Sequence, residues 1–594
     1  MEALGVLKSQ RIAVGALLVS SLWTIGCSGT SDSSALPGAE SLGTGSLAGA
    51  QMADPVAGGQ APTLPVSVES PQGPVVPALV SADVEPREPL AARLTKTQYR
   101  YTVQDLFGIL LGDEDLERLP NEFIAEAGFE NTFDAQRSTT AHVTGYAVLG
   151  ESVAEQVDVL ALAERWASCA NLTPDCEPRL IQSFTRRMFR RPATATEVES
   201  ISRLIQTISA EYGGAVEPTL QALLSGLLQF PQFLYRMESE TLGTPGRARR
   251  LTAYELASRL SYFLWQSTPD DALLDFADNV AQGVAPIEAF STQVERLLQD
   301  TDKVARTRAS FWGDYTLASS AAYPTATPEV AAALGASVVA TINRATGPLG
   351  DEKPLTDLFT TREFMLTPEL AALMGLQSKG SGLMSYDATD ANGRIGVFTH
   401  PGFLAGIGST SFVARGVVMT DRLLCQAVVP APASIAAQIE DTLDGSGDLS
   451  PREASDFRFA LGGSCEGCHK TFEPVAFALE RYDILGRYVE EDEGGRALFT
   501  NGYLQGRAGE RLADYEDASE LMQLLSEDDR VPRCFAKNAY IFGQGREFRP
   551  PDDAAVDAVL AAAQAHSTDL TFTGLLRAVA LSPQLSALTV VPGQ

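Results

Sequence analysis

The sequence predicts a mainly α-helical, multi-domain body that follows a disordered N-terminal tether and contains few short strands. Three observations predict this. Apolar residues recur at helical spacing behind capping-box signatures from residue 93 onward. Strict apolar–polar alternation is rare. Residues 28–88 are rich in Ser, Gly, Ala, Pro and Val without periodicity, a composition that cannot bury enough surface to fold. At 594 residues and 45% hydrophobic content, the remainder is long enough for three or four domains or one large composite body.

The N-terminus sets the expected compartment. Lys8 and Arg11 precede an apolar run over 12–23, and Gly26-Cys27 follows. This reads as a signal peptide over 1–26. Thr24-Ile25-Gly26-Cys27 has the form of a bacterial lipobox, with Thr where Leu is usual. Cys27 is then the lipidated residue, and 27–88 is a flexible, low-complexity tether holding the body off the membrane. Ser28, in place of Asp, favours the outer membrane. The expected location is the cell envelope, as an outer-membrane lipoprotein, periplasmic or surface-exposed. An ordinary signal peptide that happens to contain a Cys is the alternative. A net charge of −30 excludes nucleic acid as a partner and suits a basic redox partner protein.

The helices follow in order. Thr95 to Gln98 is a capping box, with Tyr99, Val103, Leu106 and Phe107 at helical spacing behind it. A polar loop is expected over 129–140, and His142 just beyond it receives no role. Pro192 should end the Arg-rich helix containing Arg186, Arg187, Arg190 and Arg191. Those arginines read as partners of acidic neighbours more readily than as an anion site. Thr194 to Glu197 is a second capping box, and 220–235 reads as one apolar helix. Thr252 and Glu255 cap a helix whose Tyr262, Phe263 and Trp265 read as core, and Pro269-Asp270-Asp271 opens the next. Helices continue to about 345, and 394–398 is a candidate strand. No Gly-x-Gly-x-x-Gly, phosphate loop, His-Glu-x-x-His or Gly-x-Ser-x-Gly occurs.

One stretch spells out chemistry. Cys465-Glu466-Gly467-Cys468-His469 is the attachment pattern of c-type haem. Two thiols three residues apart add across the haem vinyl groups, and the adjacent imidazole becomes the proximal iron ligand. The expected cofactor is covalent haem c, with His469 proximal. His400 is the first candidate for the second axial position, and Met384, Met419 and Met522 are others. A Pro474 carbonyl is the expected partner for the other nitrogen of His469. Read without haem, Cys465 and Cys468 form a structural disulfide, or half a zinc site with His469.

Of the seven cysteines, Cys169, Cys176, Cys425 and Cys534 remain. An oxidising envelope invites them to pair. Cys169 and Cys176 flank a turn-rich loop and pair by proximity, which leaves Cys425 with Cys534 by elimination among three possible pairings.

Thr399-His400-Pro401-Gly402-Phe403-Leu404, Arg415-Gly416, Arg422 to Gln426, the Cys465–His469 motif, Glu473 to Asp483 and Gly486-Arg487 together resemble domain of unknown function 1588, from large secreted proteins of planctomycetes and myxobacteria. Other stretches resemble its companions. The resemblance implies helical segments over 90–160 (domain 1587), 165–238 (1595), 248–375 (1592), 390–492 (1588) and 498–590 (1585). It implies no reaction. Two functions follow: a c-type haem redox or electron-transfer protein, with any enzyme activity that of a haem-dependent oxidoreductase, or a non-catalytic lipoprotein scaffold in which Cys465 and Cys468 are bridged.

Overall fold

The computed structural model describes residues 91–122, 128–238, 248–318, 326–428, 449–492, 494–507, 509–567 and 569–589. The expected signal peptide, Cys27 and the tether lie outside the described residues. The strands in chain order are β1 (Ala91–Arg93), β2 (Tyr235–Met237), β3 (Ala248–Arg250), β4 (Glu363–Leu366), β5 (Met384–Asp387), β6 (Gly502–Gln505), β7 (Arg511–Tyr515) and β8 (Ala587–Thr589). They form four antiparallel pairs, β1–β2, β3–β8, β4–β5 and β6–β7. Helices therefore carry the architecture.

The first body spans 91–238. Helix α1 (Lys96–Phe107) starts at Thr95, whose hydroxyl accepts the Gln98 N–H while the Gln98 side chain accepts the Thr95 N–H. It stops at Gly108, which is left-handed. Helices α2 (Thr140–Gln156), α3 (Glu177–Met188), α4 (Ala195–Glu211) and α5 (Val216–Leu227) follow. The Thr194–Glu197 box opens α4 as expected. The apolar helix expected over 220–235 breaks after Leu227, and a short turn, Pro231–Leu234, follows. Pro231 lacks an N–H and holds Phe230 extended, so the helix cannot run through. One core holds Leu94, Tyr99, Leu149, Phe184, Leu224 and Phe233 together. Three of the four arginines pair as read, Arg186 with Asp275 and Asp278, Arg187 with Asp271, and Arg191 with Glu197, whereas Arg190 is buried and donates to backbone carbonyls.

The second body spans 248–589. It contains α6 (Ala253–Trp265), α7 (Asp271–Ala281), α8 (Thr301–Tyr315), α9 (Pro328–Thr346), α10 (Pro401–Ile407), α11 (Phe412–Leu424), α12 (Pro451–Ala460), α13 (Gly463–Ala476) and α14 (Arg530–Gln544). Tyr262, Phe263 and Trp265 are buried, as expected. Residues 394–398 do not form a strand; Val397–Thr399 is a 3-10 turn, clamped by Arg394 donating to the Thr399 carbonyl. A single core joins Trp265, Trp312, Phe403, Met419, Leu479, Phe535 and Phe572. The five expected segments thus build two principal cores, because helices from different segments share buried faces.

Several contacts join the bodies, among them the Arg186 and Arg187 pairs above, Tyr262 of α6 in the first core, and two further buried features. The loop expected to be polar sends Phe129 into the second core, where it stacks on Phe311 at 5.3 Å and meets Phe542 edge-on at 5.4 Å. The second is Arg259 of α6. Its guanidinium makes two hydrogen bonds, 2.9 and 2.8 Å, to Glu238 at the end of the first body. It also donates to the carbonyls of Leu585 and Ala587 at β8. The side chains of this ion pair are only 2% and 7% exposed.

Removing one partner of a buried pair strands the other charge. Arg259→Met is expected to destabilise the protein by about 3–5 kcal/mol, and Arg259→Met with Glu238→Gln by less than the single change. Urea unfolding followed by tryptophan fluorescence measures both; an unshifted midpoint for Arg259→Met would refute the assignment of this pair as part of the junction.

Candidate functional site

Helix α13 begins where two glycines let the chain double back. Gly462 and Gly463 have φ of +68° and +56°, a region that penalises a Cβ. The turn lays α12 against α13. Along α13, Cys465, Cys468, His469, Phe472, Glu473 and Ala476 fall on one helical stripe. The stripe changes character along its length. Cys468 is exposed, Cys465 and His469 are half-buried, and Phe472, Glu473 and Ala476 are buried. The inner end packs along α11 at close range: a Cβ on Gly416 would lie 2.3 Å from the Phe472 carbonyl oxygen.

His469 is held from its inner side. Its Nδ1 lies 2.6 Å from Glu473 Oε1, which also accepts from Arg458 Nε at 2.6 Å. The Ser455 hydroxyl donates to the other carboxylate oxygen. Burial alone pushes the Glu473 carboxyl up, but hydrogen bonds from His469 and Arg458, the Arg458 charge and Ser455 outweigh it and hold it below the usual range. An ionised carboxylate only accepts, so Nδ1 carries the proton and, in the neutral ring, Nε2 is the nitrogen left unprotonated. The expected partner, the Pro474 carbonyl, instead accepts from the Tyr515 hydroxyl. The reason is helical: the side chain four residues on shares the face of His469, whereas backbone carbonyls point along the axis.

Cys465 and Cys468 are both free thiols, so the bridge between them that the scaffold reading expected is not formed. Partial desolvation first, then the charges of Cys465 and Glu473, push the Cys468 thiol up. Among the described residues no three His, Cys, Asp or Glu side chains converge to hold one ion. Two accessible thiols one turn apart, with an imidazole beside the second, fit attachment to a flat macrocycle.

His400 does not join this site. It is fully buried at the start of α10. Its Nδ1 accepts from Gly402 N–H at 2.9 Å, and its Nε2 meets the Ser337 hydroxyl at 3.1 Å. Ser337 in turn donates to the Met365 carbonyl. Both ring nitrogens are occupied, and the residue serves as a helix cap pinning α10 to α9 and β4. It is therefore corrected from axial ligand to structural histidine. Met419 and Met522 are buried in the second core, and Met384 lies on β5.

The four other cysteines form Cys169–Cys176 and Cys425–Cys534. The second bridge ties the end of α11 to α14. Two neighbouring arginines are clamps: Arg394, just before the motif set, donates to the Thr399 and Gly486 carbonyls, and Arg415, within it, to those of Ser409, Leu479 and Asp483. Sequence reasoning passed over Ser455, Arg458 and Glu473 as site residues. The i, i+4 spacing of His469 and Glu473 was the available signal; the contributions from α12 had none.

Five family models match the chain, each described as a protein of unknown function: DUF1587 over 92–159, DUF1595 over 176–238, DUF1592 over 251–376, DUF1588 over 394–492 and DUF1585 over 513–585. The chain carries all five, in that order, and the site lies in the fourth. No curated protein and no solved structure matches it.

Burial, with a smaller contribution from Arg394, lowers the His400 pKa from 6.5 to about 3. Between these values the unfolded chain binds a proton that the folded chain refuses, so stability falls as pH drops. Between pH 7 and pH 4 the wild type is expected to lose about 3 kcal/mol more than His400→Asn, which keeps an N-capping side chain. Urea unfolding at both pH values measures the difference; equal losses would refute it.

Proposed function

We propose that the protein is a c-type haem protein of the cell envelope, serving as an electron carrier or as the redox part of an oxidoreductase. Cys465 and Cys468 would hold the haem as thioethers, and His469 would ligate its iron through Nε2. One observation carries the reading. Four of the seven cysteines are bridged, while Cys465 and Cys468 stay reduced on the accessible end of a stripe whose imidazole is already oriented for ligation. Bound haem supplies one-electron redox chemistry. The chain's own residues anchor it, orient the imidazole and fix the Nδ1 proton.

Export supports the same reading. Disulfides accumulate in oxidising compartments. The lipobox-like Cys27 would anchor the protein to the outer membrane, and the charge of −30 would draw a basic redox partner.

Protein expressed with its export signal in a cytochrome-maturation-competent host is expected to show a Soret band that survives acid–acetone extraction. Cys465→Ala with Cys468→Ala is expected to abolish the covalent band. A wild-type protein that is folded, exported and free of covalent haem would refute the proposal.

A further inference from the structure

Glu473 is a costly residue to place where it lies. Its side chain is fully buried, and a buried carboxylate without partners is strongly destabilising. The chain surrounds it with three donors from two helices, His469 and two residues of α12. An apolar residue at this position would pack the α12–α13 contact without any of them. The three donors differ in what they leave behind. Arg458 and Ser455 end at Glu473. His469 continues outward to the thiol end of the stripe, with its second ring nitrogen directed away from the carboxylate.

We infer that Glu473 is a positioning residue for His469. It fixes the Nδ1–H tautomer and the ring plane, and its charge, tempered by Arg458, strengthens Nε2 as an electron donor. The electronic part rests on the haem reading above; the orienting part stands without it. A carboxylate behind a ligating imidazole raises ligand basicity and so favours the oxidised metal. Arg458 opposes this, so the two residues should act on a bound haem with opposite sign.

The test has two arms. In the first, full-length protein without haem is labelled with ¹⁵N-histidine. Its four histidines are few enough for His469 to be assigned by its loss in His469→Gln. Above the ring's titration, the wild type is expected to hold the Nδ1–H tautomer. Arg458→Met with Glu473→Leu, which removes both buried charges together, is expected to release it. An Nε2–H tautomer in the wild type, or an unchanged tautomer in a folded double variant, would overturn the orienting role whatever the haem result. In the second arm, the haem-loaded protein is titrated electrochemically. Glu473→Gln is expected to raise the reduced-to-oxidised ratio at fixed potential about tenfold, a positive shift of about 59 mV for a one-electron couple. Arg458→Gln is expected to shift it the other way. Equal potentials, or shifts of the same sign, would overturn the electronic role while leaving covalent haem intact. A wild type without covalent haem would overturn the haem reading and the electronic role together, and the tautomer arm would still decide the orienting role.

Discussion

Arg259 is a buried fastener where the two bodies meet. Its guanidinium joins a carboxylate at the end of the first body to the carbonyls of the strand that closes the second. The need for such a group follows from the architecture. Each body closes its own ends with a short antiparallel ribbon, and no wider sheet is present among the described residues to satisfy the backbone between helices. Buried carbonyls in those connections must find donors elsewhere. Arginine offers five donors in one plane and reaches several carbonyls at once. Arg190 serves Met188, Gln232, Phe233 and Tyr235; Arg394 and Arg415 do the same around the 479–487 turn. Many arginines that a composition count treats as surface charge are here internal fasteners.

The same device acts at α13 with a different outcome. Arg458 fastens a carboxylate rather than carbonyls, and the carboxylate then fastens a histidine. Because α12 and α13 are joined by a glycine turn and α13 lies on α11 at backbone contact distance, the inner half of the helix has little freedom to shift. The outer half inherits that order while remaining accessible. The haem attachment proposed above would use that rigid root and open tip.

How much of this was legible depended on how local the cause was. The capping boxes at Thr95, Thr194 and Thr252 were readable because each is complete within four residues. Both disulfides were readable because the haem-type motif and the lipobox-like Cys27 left four cysteines with few ways to pair. The break after Leu227 was signalled by Pro231 and missed because apolar periodicity was given more weight. Phe129 read as loop because its own neighbourhood is polar, while its partners Phe311 and Phe542 lie far along the chain. His400 misled for the same reason: its proximity in sequence to a haem-type motif suggested ligation, whereas its ring is taken up by Gly402 and by Ser337 of α9.

The boundaries of sequence similarity are not the boundaries of the site's support. Cys465 to Glu473 lie within the 394–492 segment, and so do α11 and α12. Yet the Pro474 carbonyl is bonded by Tyr515 of the 513–585 segment, and α11 is bridged to α14 of that segment through Cys425 and Cys534. The core beneath α11 and α13 is shared with α6, α8 and α9 from residues 251–376. Met419, Leu423, Val475 and Leu479 of the 394–492 segment lie in one core with residues of the other two segments. Shared packing of this kind gives a physical reason for the site to come with the 251–376 and 513–585 segments: the motif is short, but its inner end rests on a core that all three segments build.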